Sequence, residues 1–208
     1  MTSRRTIERR LERVRDFDAP DVALEQYRTP PALAAHLCHL AALQGDLAER
    51  PVVDLGTGTG MLAIGCALAG GTRIVGLERD PSALARARDN EVRILGTDPI
   101  EWVVGDGRRH PLALSDATVV SNPPFGAQRG NRHADRAFLE SARDLGAVSY
   151  TIHNAGSQSF VEAFAADGGG VVTHAFAAAF PVDRRFEFHT DERRELEVEV
   201  FRIEWPGR

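Results

Sequence analysis

The amino-acid sequence predicts a doubly wound α/β fold, a mostly parallel seven-stranded sheet with an antiparallel terminal strand. Three observations carry this. Short apolar runs alternate with helical segments along most of the chain. A strand, a glycine-rich turn and a helix start follow one another over 51–68. Polar groups recur at the ends of successive strands, at Asp54, Glu78, Asp106 and Asn122, and open α/β sheets bind ligands at that edge. The 208 residues suit one domain, with 1–45 as an N-terminal helical cap and 46–208 as the core.

In chain order, residues 2–16 place Ile7, Leu11 and Val14 on one side of a helix whose outer face is rich in arginine. A solvated face is the ordinary role of such charge, and phosphate contact is the alternative. The stretch Leu24-Glu25-Gln26-Tyr27-Arg28-Thr29-Pro30-Pro31 leads into a helix carrying Leu33, Leu37 and Leu40, with Pro31 suited to its first turn. Its polar groups could cap that helix or close over a ligand.

Residues 51–55 form the first strand, Gly56-Thr57-Gly58-Thr59-Gly60 the turn, and 61–68 a helix. The second strand, 73–77, ends in Glu78. Asp80 is the expected N-cap of a helix over 82–90. The third strand, 100–104, ends at Gly105-Asp106-Gly107, and the fourth, 117–121, delivers Asn122-Pro123-Pro124-Phe125. Two prolines end that strand, because neither can donate to a ladder. A polar loop with Arg129 and Arg132 follows, then a helix over 135–145 and a strand over 147–153. A helix over 157–166 stops at three glycines, before strands over 171–180 and 196–205. The apolar positions of the last strand slip from even to odd numbers after Val200, which suggests a bulge there.

Composition narrows the function classes. All 25 basic residues are arginine, against 30 acids, for a net charge of −5. Such a surface suits high salt and argues against a broad basic patch that grips nucleic acid unaided. Two cysteines, Cys38 and Cys66, make neither a disulfide framework nor a zinc site and read as small buried thiols; no metal is expected. No apolar run is long enough for a membrane span and no secretory signal is evident, so a cytoplasmic protein is expected.

The glycine spacing separates two cofactor classes. A dinucleotide turn reads G-x-G-x-x-G and cradles a pyrophosphate. Here it reads G-x-G-x-G behind Asp54, an acid that repels a pyrophosphate but suits an ammonium. S-adenosyl-L-methionine carries an amino-acid end, a ribose and an adenine, which Asp54, Glu78 and Asp106 could meet in turn. Each acid alone is more often a cap or a solvated group; three in register behind one glycine loop are a stronger signal.

The run Asp54–Gly60 together with Asn122-Pro123-Pro124-Phe125 resembles S-adenosylmethionine-dependent amino-methyltransferases. Together with Gln26-Tyr27-x-Thr29, Ala137-Phe138-Leu139, Tyr150-Thr151-Ile152-His153 and Phe188-His189, the series resembles the methyltransferase-like protein 5 family of ribosomal RNA adenine-N6 methyltransferases, in an archaeal, halophile-like form. Thr57 and Thr59 stand where that family often has cysteines, Glu78 stands for its aspartate, and its lysine-rich C-terminal loop is replaced by arginine and acids. The resemblance implies a class I, Rossmann-like methyltransferase fold. It implies that Gln26 and Thr29 close on the cofactor from the N-terminal side. Gly56, Gly58, Thr59 and Met61 would line its methionine end with Asp54 near the ammonium, Glu78 would hold the ribose, and Asp106 with Gly107 would meet the adenine. It also implies small-subunit ribosomal RNA as substrate and a small zinc-binding activator protein on an edge of the sheet.

On this reading the Asn122 oxygen and the Pro123 carbonyl each accept one N6–H bond. Pro124 fixes the turn and Phe125 stacks on the target base. Arg129, Arg132, Phe188 and His189 are candidates for the substrate entrance. The rivals are a protein-glutamine N5-methyltransferase, a DNA adenine-N6 methyltransferase, and a non-catalytic RNA-binding scaffold. Phe125 in place of tyrosine and the short N-terminus weigh against the first. The lack of a target-recognition domain weighs against the second, and the intact acids and Asn122 against the third.

Overall fold

Seven strands form one sheet in the computed structural model, in the order β3-β2-β1-β4-β5-β7-β6. The structure describes residues 2–125, 134–183 and 193–207. The strands are β1 (Val52–Leu55), β2 (Ile74–Glu78), β3 (Ile100–Val104), β4 (Ala117–Ser121), β5 (Gly146–Asn154), β6 (Val171–Asp183) and β7 (Arg193–Glu204). The helices are α1 (Arg4–Leu11), α2 (Pro31–Leu43), α3 (Met61–Ala69), α4 (Pro81–Leu95), α5 (Ala134–Leu145) and α6 (Gln158–Asp167). The pairings from β3 through β5 are parallel, and β7 runs antiparallel to both of its neighbours. Strand order reverses between β1 and β4, so a crevice opens beyond their carboxyl ends.

Both faces of the sheet are covered. On one side Ile7 and Leu11 of α1, Leu37 of α2 and Ile64 of α3 pack with Val52, Val120 and Tyr150 in a single core. The N-terminal 45 residues therefore share the core of the sheet. On the other side Phe138 and Leu145 of α5 pack on Val53, Leu77 and Val119, while Val161 and Phe164 of α6 meet Phe201, Ile203 and Trp205.

The bulge expected in the last strand is absent. The β5–β7 register is unbroken from Val148↔Glu204 to Asn154↔Val198. Val198 and Val200 join the first core while Phe201, Ile203 and Trp205 join the layer under α6, so β7 is apolar on both faces. The irregularity lies in its partner β6, where the register skips Thr173 between Val172 and His174.

One ionic cluster is buried in the main core. Arg202 of β7 donates from Nε to Asp46 Oδ2 at 2.9 Å, and the Tyr150 hydroxyl donates to the same oxygen at 2.6 Å. Burial and that bond push the Tyr150 phenol well above its ordinary range. Cys38 and Cys66 are buried free thiols with Sγ atoms 3.7 Å apart.

Candidate active site

The glycine turn is tied down from three directions. Gly56, Gly58 and Gly60 have φ of 71°, 55° and 86°, the left-handed region that favours glycine. The backbone N–H groups of Gly56 and Thr57 donate to the Leu77 carbonyl of β2 at 2.9 and 3.0 Å. Asp54 Oδ2 accepts from Thr57 Oγ1 at 2.5 Å and from Ala63 N, in the first turn of α3, at 2.9 Å. The Glu78 carboxylate accepts from Gly58 N at 2.9 Å, Arg79 N at 2.8 Å and Asp80 N at 3.0 Å. The two acids thus hold the turn from β1 and from β2.

Burial shifts both acids upward. The Asp54 carboxyl is pushed up to about 7, the bonds from Thr57 and Ala63 only partly opposing its burial. Glu78 is raised in the same sense for the same reason. Asp54 Oδ1 is buried and has no hydrogen-bond partner among the described residues. Asp106 differs. A bidentate pair with Arg108, with a shortest contact of 2.7 Å, holds it down to about 2.

The segment 14–29 crosses the carboxyl edge as a strap. The Arg15 N–H donates to Asn90 Oδ1 at 2.8 Å, and Asn90 Nδ2 donates back to the Arg15 carbonyl and on to the Thr59 carbonyl, at 2.9 and 3.0 Å. Phe17 lies so close to Gly58 that a Cβ there would meet its ring at 3.0 Å. Gln26 accepts from Asp21 N at 2.7 Å and donates to Asp80 at 2.7 Å, and Asp80 caps α4 by accepting from Ser82 N at 2.8 Å. At its far end, Thr29 Oγ1 accepts from Asn122 Nδ2 at 3.0 Å. With Nδ2 so engaged, Asn122 Oδ1 is left as a shielded acceptor with no partner among the described residues.

Strap, turn and strand ends line a cleft that is open to solvent on one side. Gln26, Thr29, Asp54, Gly56, Gly58 and Thr59 line it, and so do Met61, Glu78, Asp106, Gly107, Asn122 and Pro124. Two of the expected site residues lie off its wall. Pro123 is buried, and Phe125 is half-buried against the main core, with its carbonyl accepting from Asn154 Nδ2 at 3.1 Å. Arg129, Arg132, Phe188 and His189 fall outside the described residues.

Sequence reasoning did not single out Phe17, Thr57, Arg108 or Phe138 as wall residues. The Phe138 ring fits against Gly56 and Gly107, where added Cβ atoms would meet it at 3.1 and 2.8 Å. Gly107 directly after Asp106 was a signal of that close approach. An orphaned buried carboxylate oxygen, an orphaned amide oxygen and an open glycine turn in one cleft fit S-adenosyl-L-methionine. Among the described residues no group of His, Cys, Asp and Glu could hold a metal ion.

Comparison with known proteins agrees with this geometry. The profile described as the methyltransferase small domain matches residues 34–149. The chain is 34% identical over its full length to an uncharacterised protein of Methanocaldococcus jannaschii, of which 96% is covered. It is 32% identical over 96% of its length to the rRNA N(6)-adenosine-methyltransferase Mettl5 of Drosophila melanogaster, of which 95% is covered. A crystal structure from Pyrococcus horikoshii, provisionally assigned as an RNA methyltransferase, superposes with a TM-score of 0.86 at 34% identity, covering 99% of this chain and 98% of that one.

Proposed function

The chain belongs to the methyltransferase small domain family, and from that premise we propose that it is an S-adenosyl-L-methionine-dependent methyltransferase acting on N6 of an adenosine in ribosomal RNA. The small subunit is the proposed source of that RNA. The observation that carries the reading is the state of Asn122. Its Nδ2 is engaged by Thr29 and its buried Oδ1 is left to accept, in the same cleft as Asp54, Glu78 and Asp106. The full-length relationship to the fly rRNA N(6)-adenosine-methyltransferase supports the substrate class.

When bound, the cofactor supplies an electrophilic sulfonium methyl group. Asp54 would face its ammonium, Glu78 the ribose, and Asp106 with Gly107 the adenine, while Gln26 and Thr29 cover it through the strap. Gly56, Gly58, Thr59 and Met61 would line its methionine end. The target adenine leaves its stack or arrives single-stranded. Asn122 Oδ1 accepts one N6–H and the Pro123 carbonyl the other, which draws the nitrogen lone pair out of conjugation and aims it. Pro124 holds the turn rigid, and Phe125, which packs on the main core beside the cleft, would have to turn toward it to flank the entering base. Positioning does the work. The methylated amine is acidic and gives up its proton without a dedicated base.

An activator fits the same reading. β3 is one edge of the sheet, and Val104 on it and Val92 on the adjoining α4 are more than half exposed. A small zinc-binding partner would cover such an edge, and co-purification tests it. No helix among the described residues is long and apolar enough to cross a membrane, and a cytoplasmic site of action is proposed.

The deciding experiment is radiolabelled methyl transfer to small-subunit ribosomal RNA, with nucleoside analysis of the product. N6-methyladenosine is expected, and Asn122→Ala should abolish it while cofactor affinity stays within about threefold of wild type. Transfer to protein instead of RNA, or normal RNA methylation by Asn122→Ala, would overturn the assignment.

A further inference from the structure

The charge of this chain is segregated. Residues 2–15 hold six arginines against two glutamates, whereas the remaining residues hold 19 arginines against 28 acids. Elsewhere several arginines are taken up by acids, Arg86 by Asp18, Arg108 by Asp106, Arg136 by Glu140 and Arg202 by Asp46, while the exposed Arg88, Arg93 and Arg109 are scattered singly along α4 and the loop after β3. In the N-terminal stretch Arg4 pairs with Glu8, and Arg10 donates to the Ile94 carbonyl. Arg5, Arg9, Arg13 and Arg15 are exposed and form no ion pair with any described residue. Arg5 and Arg9 are one turn apart on α1, opposite the buried Ile7 and Leu11. Four unpaired guanidinium groups clustered within eleven residues, on a chain with an excess of acid, suit an anionic partner.

Their position leads to the cleft. The Arg15 backbone is clamped by Asn90, which also holds Thr59 of the glycine turn. Two residues further on, Phe17 lies against Gly58 and forms part of the cleft wall. Arginine suits phosphate because its planar fork donates two hydrogen bonds at once. We propose that the outer face of α1 and the turn after it, through Arg5, Arg9, Arg13 and Arg15, form the docking strip for the phosphate backbone of the RNA whose adenine enters the cleft. The proposal rests on the RNA-methyltransferase reading above. This short strip supplies the attraction that the acidic remainder of the surface lacks.

The test is the quadruple variant R5Q/R9Q/R13Q/R15Q. Glutamine keeps helix propensity, the Arg15 contacts with Asn90 are made by backbone, and the paired Arg4 and Arg10 stay in place. RNA affinity is measured by anisotropy on a small-subunit ribosomal RNA fragment over a salt series, beside steady-state methyl transfer. Each single-strand phosphate contact contributes about 0.7 to the slope of log K against log salt, so loss of four lowers it by about 3. KM for RNA should rise at least about tenfold with kcat and cofactor affinity unchanged, and the matching Arg→Lys quadruple should recover most of the slope. A glutamine variant with the wild-type slope and KM overturns the proposal, as does tighter association with anionic lipid vesicles than with RNA. If wild-type protein binds RNA without methylating it, the catalytic reading fails while the slope still decides the docking strip.

Discussion

Thr29→Val tests how the active-site amide is oriented. Thr29 is 5% exposed and its Oγ1 accepts from Asn122 Nδ2 at 3.0 Å. Valine keeps the β-branched shape and removes only the acceptor. Loss of a partner from a buried N–H costs about 1–3 kcal/mol. Here the cost falls on the geometry of transfer, because an amide no longer held through Nδ2 can turn and present a donor where the substrate amine needs an acceptor. A loss of that size in the transition state corresponds to about 5- to 150-fold in kcat. The assay is single-turnover methyl transfer at saturating cofactor and RNA, with cofactor affinity measured separately by calorimetry. Thr29→Ser retains the hydroxyl and should stay within about threefold of wild type. Wild-type turnover by Thr29→Val would refute the reasoning. So would a loss confined to cofactor affinity, which would make Thr29 a cofactor contact alone.

Three further outcomes are expected. Asp54, pushed up to about 7 by burial, binds its proton more tightly folded than unfolded; its contribution to stability is complete below the unfolded value and is lost as pH rises through 7. The melting temperature of Asp54→Asn should therefore gain on wild type between pH 5 and pH 8, and cofactor affinity should rise with pH up to about 7 in wild type alone; a pH-independent gap in melting temperature would count against this. Arg202→Met removes the nearer charge partner of buried Asp46 and leaves it only Arg50, 3.9 Å away and a third exposed; it should cost about 3 kcal/mol in chemical denaturation, and a loss under about 1 kcal/mol would contradict the account of that cluster. Gly56→Ala forces a side chain into a φ of 71° and against the Phe138 ring; a cost of at least about 1 kcal/mol and about tenfold weaker cofactor binding are expected, and unchanged calorimetry would refute the fit.

The strands were legible because buried parallel strands are continuous apolar runs whose ends are marked by glycine, proline or an acid. The misses share a cause. α4 runs to Leu95, where the periodicity suggested 90, because Asn90 and Glu91 look like a polar break and are in fact buried partners. Asn90 bonds Arg15 and Thr59, and Glu91 accepts from Ile100 N and Trp102 Nε1, both at 2.6 Å. The phase change of β7 likewise reflects helices on one face and the main core on the other. Within the site, the acids and Asn122 could be read because topology alone brings strand ends together. Phe17 and Phe138 could not, since an aromatic residue in a strap or a helix has the same local pattern whether it meets a glycine turn or the core.

The three acids of the cleft differ in how they can meet a ligand. Glu78 receives three backbone N–H bonds and is buried, so its carboxylate is fixed before anything binds. Asp54 has one oxygen committed to Thr57 and Ala63 and the other shielded and open. Both are preorganised, and a ligand meets only their remaining lone pairs. Asp106 is satisfied by Arg108 alone, in a pair whose side chains are each about a third exposed. A half-solvated pair of that kind contributes about 0–1 kcal/mol, so a hydrogen bond from a ligand can replace it at little cost. On the proposed reading, recognition at β1 and β2 would work by a fixed template, and at β3 by exchange of one partner for another. The strap is clasped over the glycine turn and Asp80 and not at β3, in keeping with that division. The rigid part of the site needs a cover, whereas the exchangeable part needs access.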